Sequence, residues 1–94
     1  MQIEWLRNAL RNLDDEASYL ALDNPKAAAD FVRLIQTSVE RLAQFPATGR
    51  EGRLSGTREW PVPDAPYLIP YRVRNGRLQI LRIFHTRRVQ PARW

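Results

Sequence analysis

Tyr67-Leu68-Ile69-Pro70-Tyr71-Arg72-Val73-Arg74-Asn75-Gly76-Arg77-Leu78-Gln79-Ile80-Leu81-Arg82-Ile83-Phe84 is a pair of alternating runs joined by an Asn-Gly dipeptide. A type I′ turn needs positive φ at both central residues, and Asn-Gly meets that demand at low steric cost, so the stretch reads as an antiparallel hairpin. With Asn75-Gly76 as the turn, Arg74 pairs with Arg77. Counting back gives Val73 with Leu78, Arg72 with Gln79, Tyr71 with Ile80, Pro70 with Leu81, Ile69 with Arg82, Leu68 with Ile83 and Tyr67 with Phe84. Alternation then puts Tyr67, Ile69, Tyr71, Val73, Leu78, Ile80 and Phe84 on one apolar face, with Arg82 as its odd member. The other face takes Leu68, Pro70, Arg72, Arg74, Arg77, Gln79, Leu81, Ile83 and, at its far end, His85. Pro70 cannot donate to a ladder, so the strand needs a bulge or an unpaired outward position there.

Upstream, residues 57–62 read as a third strand, linked to the hairpin through the proline-rich run Pro61-Val62-Pro63-Asp64-Ala65-Pro66. Segment 46–56, with three glycines and no period, reads as a loop. Before it the period is helical. Leu6, Leu10, Leu13, Ala17 and Leu20 mark a helix over about 6–22. Asp23-Asn24-Pro25 stops it and starts a second helix that runs to about Gln44, because Asn caps an N-terminus and Pro suits the first helical position. The second helix presents Phe31, Leu34/Ile35, Val39, Leu42 and Phe45 on one face, and Pro46 closes it. A short extended start at Gln2 to Trp5 completes the order β-α-α-β-β-β. The expected fold is α+β, a helical hairpin packed on one face of a small antiparallel sheet, with residues 1–94 as one domain.

Apolar residues make up 44% of the chain and charged residues 27%, a balance that supports a folded core. No apolar run approaches the ~20 residues of a membrane span, and the N-terminus lacks a signal-peptide pattern, so the expected location is cytoplasmic with no membrane contact. With no cysteine and one histidine, neither a disulfide framework nor a metal site is expected, and no cofactor is called for. The net charge is +5, and ten of the fifteen basic residues, all Arg, fall in residues 49–94. A positive field of this kind fits nucleic acid or an acidic protein segment, and a solvated Arg-rich surface is the plainer alternative.

The order and spacing of several short segments carry a family pattern. These are Asn24-Pro25, Arg41-Leu42-Ala43-Gln44-Phe45-Pro46, Gly49-Arg50, Gly56-Thr57-Arg58-Glu59, Pro66-Tyr67-Leu68-Ile69-Pro70-Tyr71-Arg72-Val73 and Ile80-Leu81-Arg82-Ile83-Phe84-His85. Over nearly the whole chain they resemble the RelE/ParE toxins, and the ParE-like members more than the RelE-like ones. The resemblance implies a toxin of a type II toxin–antitoxin, or plasmid-stabilisation, module. Such a toxin inhibits growth until a cognate antitoxin neutralises it in a hetero-oligomer. It also implies two alternative targets. ParE-type members poison DNA gyrase without being nucleases, and RelE-type members cut mRNA on the ribosome as metal-independent interferases.

A metal-free ribonuclease needs a base for the 2′-hydroxyl proton, an acid for the leaving oxygen and cations around the phosphate. The available groups are His85, Arg87, Arg88 and a carboxylate, Glu59 or Glu51. In the register above, His85 stands about six residue steps from Arg72, roughly 20 Å, too far to share one phosphate. RelE-type nucleases place an Arg in the middle strand where this chain has Leu68, which favours the gyrase reading. For that reading the expected target-binding residues are Arg72, Arg74, Arg77, Arg93 and Trp94. Trp94 or Tyr67 could stack a base under the nuclease reading, whereas Trp5, Trp60, Tyr67 and Tyr71 also fit as core or rim aromatics. Arg82 is expected to pair with a helix carboxylate, Glu4, Asp14 or Glu16, or to lie at the sheet edge. A non-toxic nucleic-acid-binding module remains a third class.

Overall fold

The computed structural model describes residues 1–88, 91, 93 and 94. Strand β1 (Gln2–Trp5) leads directly into helix α1 (Arg7–Ala21), and α2 (Pro25–Gln44) follows. Then come β2 (Arg50–Glu51), β3 (Arg58–Pro61), β4 (Tyr67–Arg74), β5 (Arg77–Ile80) and β6 (Phe84–His85). The sheet order is β1-β5-β4-β3-β2, with β6 also paired to β4. The α+β class is as expected, but the sheet is mixed because β1 runs parallel to β5, and the loop before β3 contributes the short strand β2.

The Asn24 side chain accepts from the Ala27 N–H at 3.1 Å and Pro25 fills the first helical position, so α2 starts where its cap predicts. Its inward face is Phe31, Ile35, Val39, Leu42 and Ala43. These side chains pack with Ile69, Tyr71, Leu78 and Ile80 of the sheet in one core. Helix α1 packs Leu13, Ala17 and Leu20 against the core as expected, but Ala9 and Glu16 are buried beside them while Leu10 is half exposed. A carboxylate on the inward face is tolerated because the Tyr67 hydroxyl and the Arg88 guanidinium both donate to it, at 2.6 and 2.9 Å.

The hairpin forms with both turn residues at positive φ, 52° at Asn75 and 73° at Gly76. Pairing matches the expected register from Arg74–Arg77 through Tyr71–Ile80. Beyond that it slips. Pro70 pairs with Glu59 of β3 on one side. On the other side its carbonyl accepts from the Leu81 N–H at 3.0 Å. A residue's N and C=O project from the same edge of a strand, so the missing N–H of Pro70 faces the segment where β5 stops. The expected single strand over 77–84 is therefore interrupted at Leu81-Arg82-Ile83, and one extra residue enters before β6 resumes. Tyr67 pairs with His85 rather than Phe84, and Leu68 with Phe84 rather than Ile83. The Asn12 side chain of α1 holds the interruption, its Oδ1 accepting from the Ile83 N–H at 3.1 Å and from Arg82 Nε at 2.8 Å. Arg82 thus reaches α1 through an amide and not through Glu4, Asp14 or Glu16.

Fully buried Tyr71 ties the α2–β2 connection to the sheet. Its hydroxyl donates to the Pro46 carbonyl at 2.7 Å and accepts from the Gly49 N–H at 2.8 Å. A Cβ on Gly49 would come within 2.9 Å of the phenol Cζ, so only glycine lets the loop approach this closely. Burial raises the Tyr71 phenol above its ordinary value of 10.0, which keeps the hydroxyl a donor. Tyr71→Phe strands a buried amide and a half-buried carbonyl, and is expected to cost about 1–3 kcal/mol in urea unfolding with the slope unchanged. A loss below about 0.5 kcal/mol would mean that this hydroxyl does not anchor the loop.

Candidate functional site

The slip after Pro70 decides which face each candidate residue occupies. Tyr67 faces the helices: its ring lies 4.7 Å from that of Phe31 and its hydroxyl donates to Glu16. His85, directly opposite Tyr67, is brought to this same side, its ring edge-on to the tyrosine at 5.4 Å. The expectation that His85 ends the opposite face is overturned by the extra residue in the 81–83 segment. The His85 Nδ1 accepts from the Arg87 N–H at 3.2 Å, so a neutral ring carries its proton on Nε2. The Arg88 guanidinium bonds to Glu16 and lies over the Tyr19 ring at 5.6 Å. A hollow of about 490 Å³ between α1 and β6 gathers Asn12, Glu16, Tyr19, Arg82, His85 and Arg88.

Tyr67 is not a stacking platform here, because its ring is buried and its hydroxyl is spent on a carboxylate. Burial first, and then the hydrogen bond and charge of Glu16, raise the phenol well above its ordinary value of 10.0. It therefore stays a neutral donor to Glu16.

Glu59 lies on the opposite, open face of the sheet, paired across β3 and β4 with Pro70. It is 4% exposed. One oxygen accepts from both the Arg53 N–H (2.8 Å) and Arg53 Nε (3.1 Å), and Arg50 approaches the other at 3.5 Å. Burial alone would raise this carboxyl, but the hydrogen bonds and charge of Arg53, helped by Arg50, outweigh it and hold the group below its ordinary 4.5. Such a carboxylate is a poor proton acceptor. Glu51, on the edge strand β2, is exposed.

The C-terminal residues divide between the two faces. Arg87 stays beside His85 through its backbone and Arg88 reaches α1, whereas Trp94 lies on the open face. There its ring is 5.1 Å from that of Phe84 and 4.3 Å below the Arg53 guanidinium. Arg93 is exposed, and the intervening Val89, Gln90 and Ala92 lie outside the described residues. The middle of the open face is thus Leu68 beside Phe84, an apolar pair. Toward the turn the face becomes cationic. Arg72 donates through Nε to Gln79 at 2.6 Å, and Gln79 donates in turn to Glu4 at 3.0 Å, a relay across β4, β5 and β1. Arg74 and Arg77 flank the turn and are exposed.

The sequence reading missed Asn12 and Arg53, and it offered Glu16 as a partner for Arg82 where the structure pairs it with Tyr67 and Arg88. Glu16 lies on the inward side of α1 beside Leu13, Ala17 and Leu20, and an asparagine bonding a broken strand leaves no periodic signal. Among the described residues no cluster of His, Cys, Asp and Glu could hold a metal ion. No helix of the described chain is long and apolar enough to cross a membrane.

This architecture is shared with known proteins. The structure of a chromosomal ParDE toxin–antitoxin system from P. aeruginosa superimposes with a TM-score of 0.81 at 32% identity, covering 90% of this chain and 95% of that one. The candidate toxin Y4kP of Sinorhizobium fredii is 43% identical over 90 residues, 96% of this chain and 93% of Y4kP. Toxin RelE2 of Caulobacter vibrioides is 32% identical over 88 residues, 94% of this chain and 98% of RelE2. Residues 3–90 match the family described as the ParE toxin of the type II toxin–antitoxin system parDE. With the fold, the whole-chain similarity and the family match in agreement, the chain belongs to the ParE toxins of type II toxin–antitoxin systems, within the RelE/ParE superfamily.

Proposed function

We propose that this toxin acts in the ParE manner, arresting growth by binding DNA gyrase through the basic open face and C-terminal residues, without cutting RNA. The observation that carries the reading is that the candidate carboxylate, Glu59, lies across the sheet from His85, Arg87 and Arg88, which stay together. His85 and Arg88 sit against α1, while Glu59 is clamped by Arg53 on the other side. The open face between them holds Leu68, Phe84 and Trp94, which neither transfer a proton nor neutralise a phosphate.

Neutralisation falls to a cognate antitoxin in a hetero-oligomer, in keeping with the toxin–antitoxin family. Tyr19 and Leu22 stand 62% and 81% exposed on the helical hairpin. Strand β1 ends the sheet, with one edge unpaired among the described residues. An antitoxin segment that lays apolar side chains on the hairpin and adds a strand at that edge fits both features, and acidic side chains in it would meet the positive charge of the toxin.

Inducible expression in bacteria tests the target. Filamentation and a DNA-damage response with intact mRNA are expected, together with inhibition of gyrase supercoiling by the purified chain. Translation arrest with mRNA cut at codon boundaries would establish the interferase instead. His85→Ala is expected to leave toxicity within about twofold, whereas loss of a general base or acid costs about 10²–10⁴-fold. Glu59→Gln separates structure from catalysis in another way. Because its folded-state pKa is depressed, Glu59 stabilises the fold at neutral pH, and that contribution is lost as pH falls below 4.5 through the lowered value. Urea midpoints between pH 7 and 3 should therefore drop less steeply on the acid side in Glu59→Gln, with toxicity retained. An unchanged acid slope would refute the clamp.

A further inference from the structure

The open face carries more positive charge than its own carboxylates balance. Arg74 and Arg77 are cross-strand partners, so two guanidiniums project side by side from one face of the hairpin. Like charges placed directly opposite in a sheet are unfavourable. Neither forms an ion pair or hydrogen bond among the described residues. Two residues along β4, and so about 7 Å away on the same face, is Arg72. Its Nε is engaged by Gln79, which fixes the plane of the guanidinium and leaves the Nη1 and Nη2 edge without a partner among the described residues. Gln79 is itself oriented by Glu4, the carboxylate on this stretch of the face. Arg7, exposed at the start of α1, lines with Arg72 and Trp94 a hollow of about 430 Å³. The Trp94 indole Nε1 is buried and has no acceptor among the described residues.

We propose that Arg77, Arg74, Arg72 and Arg7 form a track for the phosphodiester backbone of a nucleic acid. All four are Arg, whose planar fork matches phosphate oxygens bidentately. Arg77 and Arg74 pair across the hairpin, Arg72 follows two residues along β4, and Arg7 of α1 meets Arg72 at the hollow, so the four lie in series along one side of the molecule. The apolar lining of that hollow, Leu6, Leu54, Leu81 and Trp94, lies at the Arg72 and Arg7 end; at the turn end, where an acidic peptide would also want apolar anchors, the exposed apolar residue, Val73, points to the opposite face. Contact is to the backbone and carries no sequence preference. Which nucleic acid lies on the track rests on the gyrase reading: a toxin acting on gyrase meets duplex DNA.

Fluorescence anisotropy with the purified full chain tests this, using a duplex DNA of about 20 base pairs and a single-stranded RNA of about 20 nucleotides. Four phosphate contacts predict that log affinity for the duplex falls against log salt with a slope of about −3.6. Arg74→Gln/Arg77→Gln removes no hydrogen bond, so its fold is preserved. It should weaken binding at least tenfold at low salt and reduce the slope by about 2. Arg33→Gln on α2, which lies 3.8 Å from Asp30 on the helical side, removes one positive charge away from the track and should change neither. Equal binding by wild type and the double variant overturns the track, as does polyglutamate competing as well as DNA at equal charge. Absence of binding at low salt overturns it too, and leaves the gyrase reading to the supercoiling assay. Tighter binding of the RNA than of the duplex keeps the track and counts against gyrase.

Discussion

A proline in the longest strand of the sheet sets the geometry on which the rest depends. Pro70 has no amide hydrogen, and the edge of β4 that lacks it faces the place where β5 ends. The partner chain leaves the ladder there, takes in one residue more than a regular hairpin would, and returns as β6. Side-chain direction has a period of two, so that single residue moves everything after it to the opposite face. His85 goes to the helices and Phe84 to the open side. Asn12 meets the freed Ile83 N–H and makes the interruption a defined structure.

The two sides of the sheet acquire different chemistry from this exchange. On the helix side a buried carboxylate, a phenol and a guanidinium satisfy one another, with His85 against the phenol ring. A charge removed from water persists only when its partners are in place, and Glu16 has two. On the open side Phe84 extends an apolar patch under Trp94, and Arg53 joins that patch to Glu59. Beyond it the surface is arginine with a single relay of amide and carboxylate behind it. A face built in this way presents charge for recognition and lacks a paired acid and base for proton transfer.

Much of this is legible in the sequence. Asn75-Gly76 specifies the turn and the four pairs nearest it, because a two-residue I′ loop permits one register. Asn24-Pro25 marks the start of α2 through a cap whose mechanism is local. Pro70 announces that the ladder must fail nearby, but whether the proline strand or its partner absorbs the extra residue depends on contacts distant in sequence, chiefly Asn12. The errors over His85, Phe84 and Arg82 share that cause. The pairing of Glu16 escapes for a related reason: its partners, Tyr67 and Arg88, lie more than fifty positions away in sequence. The parallel pairing of β1 with β5 leaves no local signal, since it is set by where the short β1–α1 junction places the first strand.

The most direct test of this account is the exchange of faces at Phe84 and His85, read by nuclear Overhauser contacts in the isotope-labelled chain. The slipped register predicts contacts from the His85 ring to the Tyr67 ring, and from the Phe84 ring to Leu68 and the Trp94 indole. Contacts from Phe84 to Phe31 and Tyr67, with His85 on the side of Leu68, would restore the uninterrupted hairpin. They would return the histidine to the open face and remove the separation on which the functional reading stands.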